Sequence, residues 1–152
     1  MFASGSDAIS STVCDRPSFM PRITQAANVI VPVTDQARAL AFYTQTLGFE
    51  TRQDFTYETG ERWIEVVPPG AETALVLAQS DETGIATRVI LVTPDLDGDR
   101  AELQAAGVEV SPNLTPGHVV FWGDAALAGH PPMCLFADPD GNSFLLVTGP
   151  GR

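Results

Sequence analysis

The sequence is short of basic residues, cysteines and long apolar runs, and each shortage removes a class of function. Lys and Arg number 8 against 19 Asp and Glu, a net charge of −11 over 152 residues. A surface of that sign repels phosphate backbones and anionic lipid, so neither nucleic acid nor membrane is an expected partner. No stretch is long and apolar enough to cross a bilayer as a helix. The opening MFASGSDAISSTVCDRPSFM has neither the basic start nor the apolar centre of a secretory signal, and its Ser, Gly and Pro content predicts a tail over residues 1–20. Of the two cysteines, Cys14 lies in that tail and Cys134 in an apolar run. Such a pair argues against a structural disulfide and for a reducing, cytoplasmic setting. The HxH, HxxxH and HExxH spacings of paired metal ligands are missing, as are GxSxG, the P-loop and GxGxxG.

What remains is ordinary globular composition, 44% hydrophobic and 18% charged, with enough chain to bury a core. The organising feature is an internal repeat. Residues 28–35 read NVIVPVTD and residues 88–95 read RVILVTPD, an offset of 60. Each run ends at an aspartate placed to cap a helix: Asp35, with Thr34 as an alternative, and then Asp95. Ala37, Leu40, Ala41 and Leu47 share one helical face in the first copy, as do Leu96, Leu103 and Ala106 in the second. Gly48 and Gly107 then stop the helices, and extended segments follow at Phe49-Glu50 and Val108-Glu109-Val110.

Each copy is expected to finish in strands. RWIEVV (62–67) and TALVLA (73–78) flank Pro68-Pro69-Gly70. MCLF (133–136) and SFLLV (143–147) flank Asp138-Pro139-Asp140-Gly141-Asn142. The predicted fold is therefore α+β: two βαβββ modules, residues 22–80 and 86–148, forming a curved mixed sheet around a central groove with helices outside. One domain over residues 21–149 holds both. The opening strand is apolar on both faces, with Val29, Val31 and Val33 toward a helix and Asn28 and Ile30 toward the groove. Ile30 also fits an ordinary core strand.

These residues resemble the vicinal oxygen chelate superfamily, which includes glyoxalase I, extradiol dioxygenases, fosfomycin-resistance enzymes and bleomycin-binding resistance proteins. The resemblance rests on NVIVPVTD…ALAFYTQTLGFE, its echo, and DPDGN before an apolar strand, and spans residues 22–148. It implies a homodimer in which modules of different subunits share a groove. It also implies a divalent metal held by His, Gln or Glu on the first and last strands of each module. Here those positions carry Asn28, Arg88, Ala74 or Val76, and Leu145. Only Asn28 offers a donor, a single amide oxygen, so no metal and no other cofactor is expected.

His118 and His130 lie in a Gly- and Pro-rich segment, 112–132, with the spacing of solvent-facing loop residues rather than of a metal pair. The same segment carries Phe121 and Trp122 and is read as a lid, or as core or subunit contact. Arg88 has two readings: a clamp for a ligand carboxylate or phosphate, or a structural partner of Glu65 or another acidic residue of the protein. Trp63 shares a strand face with Glu65, and Phe55 and Tyr57 stand two apart, which suits an aromatic pocket wall as well as core filling. Three functions follow. The first is a metal-free binder that holds an aromatic or anionic small molecule in the groove between the modules, with Asn28, Ile30, Phe55, Tyr57, Trp63, Glu65, Arg88, Trp122 and Leu145 lining the site. The second is a metal-independent lyase or isomerase with Arg88 as clamp and Glu65 as a base of raised pKa. The third is a metal-dependent glyoxalase or dioxygenase with rearranged ligands.

Overall fold

A computed structural model describes residues 20–112 and 132–149. The expectations for residues 1–19, including Cys14, and for His118, Phe121, Trp122 and His130 lie outside the described residues.

The two aspartates start the helices. Asp35 Oδ1 accepts from the Arg38 backbone N–H at 3.0 Å, and Asp95 Oδ1 from that of Gly98 at 3.0 Å. Each bond satisfies one N–H that a helix start leaves unpaired. Helix α1 spans Gln36–Ala41 and α2 spans Leu96–Ala105. The first helix does not continue to Leu47 as an α-helix; over Phe42–Thr46 it widens into a π-turn, closed by a 3.1 Å bond from Leu47 N–H to Phe42 C=O. Gly48 (φ 71°) and Gly107 (φ 80°) adopt the left-handed conformation that ends each helix.

The strands divide into two mixed sheets. In the first, β1 (Asn28–Val33), β2 (Glu50–Thr56), β3 (Arg62–Val67) and β4 (Ala74–Gln79) lie in the order β1-β4-β3-β2, with β1 and β4 parallel. In the second, β5 (Ala86–Thr93), β6 (Met133–Ala137) and β7 (Ser143–Thr148) lie in the order β5-β7-β6, with β5 and β7 parallel. The extended segment after α2 contributes an isolated bridge, Val110 to Phe136, where the first module has a full strand. Among the described residues the second sheet therefore has three strands.

Alternation along the strands puts one side of both sheets into a common core. Val31, Val33, Ile64, Val66, Leu75 and Leu77 from the first sheet join Cys134, Phe136, Phe144 and Leu146 from the second, with Ala39, Tyr43, Leu96 and Leu103 from the helical segments. The opposite sides of the sheets face away from this core.

The DPDGN turn does more than reverse the chain. Asp138 accepts from the Tyr43 hydroxyl (2.8 Å) and from the Asn142 amide (2.9 Å). Asn142, fully buried, also donates to Pro32 C=O (2.7 Å) and accepts from the N–H groups of Gly84 (3.0 Å) and Ile85 (3.1 Å). Asp140 accepts from the Thr34 hydroxyl (2.5 Å) and from Arg38 (3.0 Å). Burial, reinforced by the neighbouring Asp138 carboxylate, pushes the Tyr43 hydroxyl far above its ordinary pKa, so it stays a proton donor. One five-residue turn of the second module thus clasps β1 and α1 of the first.

Candidate functional site

On β3, Ile64 and Val66 point into the core, so Trp63, Glu65 and Val67 take the opposite, open face. The ladder register extends this face across the sheet: Phe55 stands opposite Trp63, Gln53 and Val76 opposite Glu65, Ile30 beside Val76, and Asn28 beside Ala74. Six of the residues expected to line a site (Asn28, Ile30, Phe55, Tyr57, Trp63 and Glu65) are thereby collected on one surface. The rings of Phe55 and Tyr57 meet edge to face at 4.9 Å, and those of Tyr57 and Trp63 at 6.4 Å. A cavity of about 520 Å³ opens beside them, lined by Tyr57, Trp63, Val76 and Ala78 among others.

Glu65 is the polar centre of this face. It accepts from Trp63 Nε1 (2.8 Å), Asn28 Nδ2 (3.1 Å) and Arg52 Nε (2.7 Å). Arg52 also donates to Asn28 Oδ1 (2.6 Å) and to Glu72 C=O (2.7 Å). Sequence reasoning missed Arg52, because strict alternation from Gln53 and Phe55 puts it on the other face. A register shift between Thr51 and Gln53 in the β2–β3 ladder takes it out of that alternation.

The expectation of a raised Glu65 pKa is overturned. Burial alone would raise it, but the hydrogen bonds from Trp63 and Arg52, the Arg52 charge and the Asn28 amide outweigh burial and hold the carboxyl below its ordinary value near 4.5. Because the folded pKa is depressed, the stabilisation is fully present above pH 4.5 and is lost as pH falls through the folded value. The difference in unfolding free energy between the parent and Glu65→Gln, followed by urea denaturation, is expected to be constant above pH 4.5 and to shrink below it. A difference that grew on acidification would reverse this assignment.

Arg88 and Leu145 are not brought to this surface. Arg88 is neither buried nor the partner of Glu65: it occupies an exposed position of β5 with φ 58°, at a register shift between Ala86 and Ile90. The reason is topological. Arg52 stands on the strand next to β3, whereas β5 belongs to the other sheet. Leu145 is buried on the second sheet against Met133, with Leu135 and Val147 packed around them. Ile30 is 60% exposed, so its core reading is also overturned. A second cavity, about 640 Å³, does run between the modules, lined by the 68–73 turn, Val29, Leu75 and Val89–Val92, but it touches none of the expected site residues.

The residues at the family's metal positions do not fit a metal. Ala74 and Val76 carry no donor atom, and both polar atoms of the Asn28 side chain are engaged, one with Arg52 and one with Glu65. The nearby carboxylate, Glu65, is already neutralised by a guanidinium at 2.7 Å. A divalent cation here would have to displace Arg52 and meet its charge. Among the described residues no group of three His, Cys, Asp or Glu side chains is placed to ligate one, and no helix is long and apolar enough to cross a membrane.

The same architecture occurs in known proteins. TnmS3, an antibiotic binding protein from Streptomyces sp. CB03234, is 32% identical, with a TM-score of 0.69 over 86% of this chain and 100% of that chain. A superfamily member from Sphaerobacter thermophilus DSM 20745 is 33% identical, with a TM-score of 0.71 over 84% of this chain and 98% of that one. The uncharacterized protein YetH of Bacillus subtilis (strain 168) is 30% identical over 128 residues, 82% of this chain and 98% of YetH. The family's sequence profile matches residues 22–146, and the chain belongs to the Glyoxalase/Bleomycin resistance protein/Dioxygenase superfamily.

Proposed function

We propose that the protein binds a planar aromatic small molecule on the open face of its first sheet, in the cytoplasm and without a metal or other cofactor. The observation that carries this reading is the ladder of rings Phe55, Tyr57 and Trp63 beside the 520 Å³ cavity. Phe55 is 40% and Tyr57 47% exposed, apolar surface that a flat ligand would cover. The volume suits a drug-sized molecule. The likeness to an antibiotic binding protein supports the same class of ligand. Asn28, Ile30 and Glu65 share the sheet face with Val76 and Trp63, which line the cavity.

The reading includes a homodimer, as the family resemblance implies. The second-sheet face of one chain, with Arg88 and the exposed Val92, covers the first-sheet face of the other. An enzyme using Glu65 as base is disfavoured, since a carboxylate held below its ordinary pKa by three donors is a poor proton acceptor at neutral pH.

Thermal unfolding with planar polycyclic antibiotics, against aliphatic molecules of similar size, tests the proposal. A ligand at about 100 times its Kd adds about 2.7 kcal/mol, or a rise of about 5–10 °C for a domain of this size. Trp63→Ala is expected to abolish most of the rise. If no planar aromatic raises the midpoint, the proposal fails; monomeric elution with ligand bound would remove the dimer and leave the wall.

A further inference from the structure

We propose that Arg52 is the polar end of this site, and that the ligand is a planar aromatic carrying an anionic oxygen, a carboxylate or phenolate, which the guanidinium grips. The proposal rests on the aromatic-wall reading and deepens it.

Arg52 and Glu65 form an ion pair, yet they do not face solvent equally. The Glu65 side chain is 7% exposed and the Arg52 side chain 34%. Both carboxylate oxygens of Glu65 are engaged, Oε1 by Trp63 and Asn28 and Oε2 by Arg52. The guanidinium, by contrast, uses one N–H each on Nε, Nη1 and Nη2 among the described residues, which leaves one on each terminal nitrogen. An approaching molecule therefore meets the cation, while the anion that compensates it lies beneath. In a protein of net charge −11, this pair turns its positive end outward.

The placement is also fixed. Glu65, Asn28 Oδ1 and Glu72 C=O hold the guanidinium from three sides, so little rotamer freedom remains to be lost on binding. Trp63 and Arg52 grip opposite oxygens of one carboxylate, which puts the cation next to the indole edge. A ring system lying on Phe55, Tyr57 and Trp63 can thus present an oxygen at its rim to Arg52. Arginine suits this task because its planar fork matches a carboxylate.

The test compares 2-naphthoate with 2-methylnaphthalene, equal in shape and different in charge, by equilibrium titration. The parent is expected to prefer the naphthoate by about tenfold or more, the value of a charge-assisted hydrogen bond. In Arg52→Met/Glu65→Gln, which removes the ion pair without leaving a lone charge, that ratio is expected to fall to about one. Glu65→Gln alone is expected to strengthen naphthoate binding, because the guanidinium is no longer offset. A purely structural Arg52 would shift neither ratio. Preference retained in the double variant overturns the clamp and leaves the aromatic wall standing. Failure of the parent to bind either probe overturns both. Should the double variant not fold, Arg52→Lys, which keeps the charge and loses the fork, must lower the ratio several-fold for the clamp to survive.

Discussion

Asn142→Ala is expected to lower the thermal midpoint by about 6–20 °C, although the residue touches neither the aromatic wall nor Arg52. Its side chain serves the backbone N–H groups of Gly84 and Ile85, the Pro32 carbonyl and the Asp138 carboxylate, all through an amide with no exposed surface. Alanine removes the side-chain partner of the Gly84 and Ile85 N–H groups and of the Pro32 carbonyl, while Asp138 keeps the Tyr43 hydroxyl. Each orphaned buried group costs about 1–3 kcal/mol, and with partial relaxation the sum is about 3–5 kcal/mol. At about 2–4 °C per kcal/mol for a domain of this size, the shift is easily resolved by calorimetry. Asp54→Asn provides the contrast. It breaks the Asp54–Arg62 ion pair at 2.7 Å, but both side chains are about a third exposed, and the change is expected to stay within about 1 kcal/mol. An Asn142→Ala protein that melted with the parent would mean that the turn does not hold the modules together.

Arg52→Ala is expected to destabilise the protein by about 2–3 kcal/mol at neutral pH, because it leaves the buried Glu65 carboxylate with amide and indole donors alone. The value sits at the low end for a broken buried pair, since the guanidinium is 34% exposed and water can enter the space it vacates. Without its cation Glu65 binds a proton more readily when folded, so the deficit is expected to be largest at neutral pH and to shrink on acidification. Arg52→Met/Glu65→Gln is expected to recover to within about 1 kcal/mol of the parent, because no unpaired charge remains. Urea denaturation across pH reads both effects. Equal stability of Arg52→Ala and the parent at pH 7 would show that the pair contributes nothing.

The parts of the fold that could be read in the sequence are those carried by local signals. Asp35 and Asp95 cap, and Gly48 and Gly107 stop, because capping and left-handed geometry depend on a few neighbouring residues. The shared face of Phe55, Tyr57 and Trp63 was legible as well, since they obey the period of two. Arg52 was not, because one register irregularity is invisible to a rule that counts alternate residues. Arg88 misled for the same reason: laying one copy on the other matches it to Asn28, but β5 is irregular there and the backbone turns to positive φ. The role of Asn142 was hidden by distance along the chain, its partner Pro32 lying 110 residues away. DPDGN reads as a turn at short range and becomes a clasp only once both modules are folded.

The separation of core and open face also divides what each strand is free to become. On β3, Ile64 and Val66 answer to packing shared by the whole domain, whereas Trp63 answers to Glu65, Tyr57 and the open side of the sheet. Substitution of the exposed rings on the open face can therefore leave the shared core packing unchanged. The two faces have already parted in this way, one aromatic and charged around Glu65, the other aliphatic around Met133 and Leu145. The repeat is visible in the order of strands and helices and not in the residues of the two outward faces, so the two halves of the molecule present different chemistry on one scaffold.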